Sequence, residues 1–179
     1  MLDTQNTAVV LVDIQGTILR AMHGHEAVLQ SVIKLARGAK ALGVPVIFTE
    51  QNPERLGSTL PEVAEIMGDA KAVAKMSFSC CQTEAFMQAL AASGRNQIVI
   101  AGIEAHVCVY QTAAELVGGG FEVQVVCDAV SSRTLENKEI GLRRMSESHV
   151  GMTSVETVLF ELLKAAGGDC FKEILKIVK

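Results

Sequence analysis

Short apolar runs alternate with stretches that are apolar on one side only, and that alternation leaves this chain few folds. Ala8 to Val12, Val44 to Phe48 and Ile98 to Ala101 are apolar throughout, and Glu122 to Val126 is close to it. Runs of this kind read as strands buried on both faces. Between them, His25 to Leu42 carries Val28, Val32, Leu35, Ala36, Ala39 and Leu42 at helical spacing, and Gly43 closes it. Thr83 to Ser93, Val107 to Val117, Glu136 to Ser146, Val155 to Ala165 and Asp169 to Val178 read as further helices, with Thr83 a possible N-cap. Ala70 to Ala74 and a segment near Val150 to Thr153 read as short strands, and the stretch holding Pro53, Gly57 and Pro61 as a loop. Such alternation predicts a mostly parallel six-stranded sheet with helices on both faces. Right-handed crossovers make it a doubly wound, Rossmann-like three-layer α/β/α fold. At 179 residues, the chain is expected to be a single domain over 1–179.

In that fold, ligands bind beyond the carboxyl ends of the strands, where strand order reverses. Three ionisable residues meet the criterion. Asp13 follows the first strand, Lys75 follows Ala72-Val73-Ala74, and Cys108 opens the helix after the Ile98–Ala101 strand. The combination is chemically specific. A helix N-terminus and a lysine cation both favour a thiolate. A carboxylate accepts the thiol proton and returns it to a leaving group. The expected chemistry is nucleophilic catalysis through a thioester-type intermediate, with backbone N–H groups before Cys108 holding the oxyanion.

Composition removes other classes. Net charge is −4 with no basic stripe, and there is one Tyr and no Trp, so nucleic acid is not the expected partner. No apolar run reaches the roughly 18 residues of a membrane span. The opening MLDTQNTAVVLVD lacks the charged and hydrophobic regions of a signal peptide. The expectation is a cytoplasmic location, a small-molecule substrate, no cofactor, and five reduced cysteines (80, 81, 108, 127, 170). No C-x-x-C pair supports disulfide reduction.

Val12-Asp13-Ile14-Gln15, Lys75 with Ser77-Phe78-Ser79, and Gly102 through Val109 resemble the isochorismatase-like cysteine hydrolases. That family includes isochorismatases, nicotinamidases and N-carbamoylsarcosine amidases. Thr49-Glu50-Gln51, Leu56 to Thr59, Asp128 to Arg133 and Phe171 to Ile174 are most similar to its isochorismatase-domain-containing branch. The resemblance implies a triad of Asp13, Lys75 and Cys108. It also implies a cis peptide between Ile103 and Glu104, with the N–H groups of Glu104 and Cys108 as oxyanion hole. The Asp-x-His metal motif of nicotinamidases is absent: the position reads Thr49-Glu50-Gln51-Asn52. No metal is therefore expected.

Other residues keep two readings. Gln15 fits either substrate orientation or a turn hydrogen bond. Phe78 is placed in the pocket wall. Glu50 and Gln51 fit binding of a polar substrate, support of Lys75, or a solvated loop. Arg133 fits a bidentate grip on a substrate carboxylate, or an anchor for the next helix or a partner chain. His106 is read as structural, and Cys127 as a core residue of its strand. The last helix carries Phe171, Ile174, Leu175 and Val178 on one face, which suits packing at home or against a second subunit; a homo-oligomer, dimer or higher, is expected. Two rivals stand beside the hydrolase. One is a low-turnover binding or assembly module of the same fold. The other is a haloacid-dehalogenase-type phosphatase, since Asp13-Ile14-Gln15-Gly16-Thr17 resembles D-x-D-G-T, though Gln15 replaces the general acid.

Overall fold

The computed structural model describes residues 1–179. The strands are β1 (Thr7–Val12), β2 (Val46–Gln51), β3 (Val73–Lys75), β4 (Gln97–Ile103), β5 (Glu122–Ser131) and β6 (Gly151–Thr153). They form one sheet in the order β3-β2-β1-β4-β5-β6, and every pair is parallel. Strand order reverses between β1 and β4, so the carboxyl ends of these two strands flank the crevice where ligands bind in doubly wound folds.

The helices are α1 (Gly16–Leu19), α2 (His25–Ala41), α3 (Pro53–Leu56), α4 (Pro61–Met67), α5 (Glu84–Ser93), α6 (Tyr110–Gly118), α7 (Leu135–Glu147), α8 (Val155–Leu163) and α9 (Gly168–Val178). Successive strand residues point to opposite faces, and β1 divides accordingly. Val9 and Leu11 join a core with Leu35, Ala36 and Leu159 on the α2/α8 side. Ala8, Val10 and Val12 join another with Phe86, Leu90, Leu116 and Met145 on the α5/α6/α7 side. Both faces are covered, which explains why these strands carry no alternation of polar and apolar residues. α2 buries Val28, Val32, Leu35, Ala36 and Ala39, the stripe read from the sequence. α9 packs against α2 and α8 within the chain. No helix is long and apolar enough to cross a membrane.

Local readings differ in several places, among them the short strand read over Ala70–Ala74, which lies at Val73–Lys75, and the helix read from Val107, which starts at Tyr110. The proline-containing segment after β2 is not a plain loop: Pro53 and Pro61 each open a short helix, a position where the missing N–H costs nothing. Gly102 does not end its strand, because β4 runs on to Ile103. Thr83 precedes α5 without a side-chain cap; its hydroxyl lies 3.0 Å from that of Ser77. Cys127 lies in β5 but is half-buried rather than in the core, with its sulfur 3.7 Å from that of Met152.

Candidate active site

β1 delivers Asp13 to the crevice. Its backbone turns into the left-handed region directly after the strand, at φ 54°, a conformation Asp tolerates better than most residues. Lys75 is the last residue of β3, paired with Gln51 of β2. Cys108 sits in a wide π-type turn, Ala105–Val109, between β4 and α6. The preceding Ile103–Glu104 peptide bond is cis, and Val107 and Val109 donate their N–H groups to the Glu104 carbonyl.

These elements bring Asp13, Lys75 and Cys108 together, all three buried. Asp13 Oδ1 accepts a hydrogen bond of 2.7 Å from the Thr49 hydroxyl. Oδ2 faces the Lys75 ammonium at 2.8 Å but receives no directed hydrogen bond. The Lys75 donors go elsewhere: to Gln51 Oε1 at 2.6 Å and to the carbonyls of Ser77 and Phe78 at 3.2 Å each. The buried Asp13 carboxylate thus stands between the Thr49 hydroxyl and the Lys75 ammonium.

The electrostatics correct one expectation. Burial pushes the Cys108 thiol up to about 12, against the pull of Lys75 and with the Asp13 carboxylate adding to the rise. Desolvation outweighs the cation, so the resting group is a thiol and not the thiolate expected of a helix N-terminus. Burial also works against the Lys75 cation, but the Asp13 carboxylate and the nearby thiols more than offset it. Its value therefore lies above that of an ordinary lysine.

Asp13 and Cys108 open on a cavity of about 360 Å³. Ile18, Met22, Leu56, Phe78, Ile103 and Val107 form its apolar wall. Gln51, Glu104 and Arg133 also line it. Phe78 is more than half exposed and stands at the rim. A wider groove, of about 780 Å³, passes the outer side of Lys75 between Asn52 and Thr83 and touches neither Asp13 nor Cys108.

Gln15 is not a pocket residue. Its amide donates to the carbonyls of Gln51 and Gly57 at 3.0 and 2.6 Å and accepts from the Gln51 N–H at 2.8 Å. The turn-type reading of Gln15 is thus the one its hydrogen bonds match, with the amide engaged on backbone groups. Gln51 holds Lys75 with its carbonyl and the Met76 carbonyl with its amide. Glu50 ties down Thr59 through its N–H and hydroxyl, at 2.7 and 2.8 Å. Arg133 is engaged with Glu104, whose Oε2 accepts from its Nε at 3.2 Å and its N–H at 3.0 Å. His106 Nδ1 lies 2.9 Å from the Ser132 hydroxyl. No trio of His, Cys, Asp or Glu side chains converges to hold a metal ion. Thr49 is the site residue that sequence reasoning passed over. A hydroxyl at the buried end of an apolar strand needs a partner, and that was its signal.

Residues 7–157 match the family model of the Isochorismatase domain. The chain belongs to the isochorismatase family. Isochorismatase domain-containing protein 2 of Xenopus laevis is 34% identical over 177 residues, which are 99% of this chain and 85% of that protein. Isochorismatase domain-containing protein 1 of Danio rerio is 38% identical over 146 residues, 82% of this chain; the match spans only 51% of that relative. Three solved isochorismatase-fold structures superpose with a TM-score of 0.93 each. MAR1 ribonuclease from Caenorhabditis elegans is 29% identical and covers 99% of this chain and 91% of its own. YcaC from Pseudomonas aeruginosa, solved with hexane-2,5-diol and covalent acrylamide, is 26% identical, covering 98% and 90%. YcaC from Escherichia coli, described as an octameric hydrolase of unknown specificity, is 27% identical, covering 98% and 88%.

Proposed function

We propose that this isochorismatase-family chain is a cysteine hydrolase of a small amide, ureido compound or ester, with a triad of Asp13, Lys75 and Cys108. The observation that carries the reading is the convergence of the buried Asp13 carboxylate, the Lys75 ammonium at 2.8 Å from it and the Cys108 thiol, with Asp13 and Cys108 lining one cavity. In this mechanism the sulfur attacks the substrate carbonyl carbon as its proton passes to Asp13. A C–S bond forms, and the carbonyl electron pair moves to oxygen. The N–H groups of Glu104 and Cys108 receive that oxyanion. Collapse breaks the C–N or C–O bond, and Asp13 protonates the leaving amine or alcohol. Water, deprotonated by Asp13, then cleaves the thioester and restores the thiol. Lys75, whose ammonium lies 2.8 Å from Oδ2, holds the Asp13 side chain in position between proton transfers.

The covalent acrylamide in the Pseudomonas aeruginosa relative supports a nucleophile in this fold. The ribonuclease name of the Caenorhabditis elegans relative fits this chain poorly. A formal charge of −4 repels a phosphate backbone, and the cavity suits a small ligand. The octameric Escherichia coli relative supports a homo-oligomer here too. Intact-mass spectrometry after exposure to a panel of small amides and esters tests the chemistry. An acyl adduct located on Cys108 and absent from Cys108→Ala is expected. Hydrolysis that persists in Cys108→Ala would refute the mechanism, and a protein that forms no adduct and turns nothing over would favour the binding module.

A further inference from the structure

We infer that the substrate is an electrically neutral molecule with an apolar acyl part, and that molecules carrying a carboxylate are rejected. The inference rests on the hydrolase reading and names its substrate class. The juxtaposition behind it is a charge-balanced cavity. Of the ionised groups at the site, Asp13 is paired with Lys75 at 2.8 Å, and Glu104 takes up both the Nε and the backbone N–H of Arg133. Arg133 is the single cation lining the cavity, and Glu104 balances it at 3.2 Å, so the lining carries no net positive charge to draw a carboxylate in. The two carboxylates there, Asp13 and Glu104, are balanced in the same way, so what rejects the anion is an apolar wall that offers no replacement for its lost hydration. A neutral acyl group does not face that penalty, and it gains contact with Ile18, Met22 and Leu56. The sequence-based reading of Arg133 as a carboxylate clamp competes with its contact to Glu104, which holds its Nε at 3.2 Å.

Two alkylating reagents of nearly equal size separate the possibilities. Iodoacetamide is neutral and iodoacetate is an anion; each transfers its carbon to sulfur with loss of iodide. Labelling of the intact protein is followed by peptide mass at Cys108, with the exposed Cys170 as internal reference. The iodoacetamide-to-iodoacetate rate ratio at Cys108 is expected to exceed that at Cys170 by about tenfold or more. Glu104→Gln, which removes one carboxylate and frees the Arg133 guanidinium, should bring the ratio back toward that of Cys170. An equal or inverted ratio at Cys108, with iodoacetamide labelling it readily, would overturn the neutral-substrate inference and leave the hydrolase reading intact. An unchanged ratio in Glu104→Gln would overturn the charge-pairing argument. Failure of both reagents to label Cys108 would overturn the hydrolase reading and the inference with it.

Discussion

At the scale of single residues, the convergence of Asp13, Lys75 and Cys108 was legible because each stands at or just past the end of a strand-like run and each is chemically distinct. The residues that hold them were not. Gln15 follows Asp13 by two positions and looks like a ligand, yet its amide is spent on the backbone of Gln51 and Gly57. That partnership spans more than 35 residues of chain and leaves no local trace. Thr49 was hidden for the same reason. Thr49→Val keeps the shape but leaves Asp13 Oδ1 buried without its donor, an omission worth about 1–3 kcal/mol. We expect kcat to fall about tenfold or more with little change in KM, and Thr49→Ser to restore it; steady-state kinetics on the first substrate found checks this. The pH dependence follows from the raised values. With the thiol pushed up to about 12 and Lys75 held above the ordinary lysine range, the reactive thiol–ammonium form persists through mildly alkaline pH. A pH–rate profile of Cys108 acylation should therefore show no rise near pH ~8.5, where an ordinary cysteine ionises.

Among elements, long helices and central strands were readable from periodicity, whereas short helices were not. α3 and α4 are four and seven residues long, too short for a repeating stripe, and their prolines look alike in a loop or at a helix start. The length of β5 was likewise hidden. The register passes from Ile100–Val125 to Gly102–Val130, so extra β5 residues bulge out, and the strand continues to Ser131. Arg133 follows two residues after the end of this strand and lies beside Glu104. Gly102 makes the close approach possible. It lies at φ 124°, and a Cβ there would sit 2.1 Å from the Val12 carbonyl oxygen. Gly102→Ala should therefore lower the melting temperature, at about 2–4 °C per kcal/mol for a domain of this size, as differential scanning calorimetry would report. Gly141 of α7 acts differently. A Cβ there would lie 2.6–2.7 Å from the backbone of Ala105 and His106, in the turn that carries Cys108. Gly141→Ala should displace that turn and reduce Cys108 labelling by about tenfold or more, since placement errors near 1 Å can cost 10²-fold.

For the molecule as a whole, the doubly wound topology followed from the buried character of the strands, because helices must cover both faces of a sheet built from them. Strand order did not follow from pattern, since pairing of β1 with β4 joins residues about 90 positions apart. That pairing is what the proposed chemistry needs: it brings Asp13 and the Cys108 turn to one crevice, while β2 and β3 bring Lys75 from the other side. Sedimentation velocity on the purified chain should show a species larger than the 19.1 kDa monomer. The central claim is that Asp13 acts on Cys108 by taking its proton. The most direct measurement is the rate at which iodoacetamide alkylates Cys108 near neutral pH in the wild type and in Asp13→Asn. Loss of the base should slow alkylation by about 10²-fold or more. Electrostatics alone predicts the reverse, because the Asp13 carboxylate raises the thiol, so faster alkylation of the Asn variant would contradict the account.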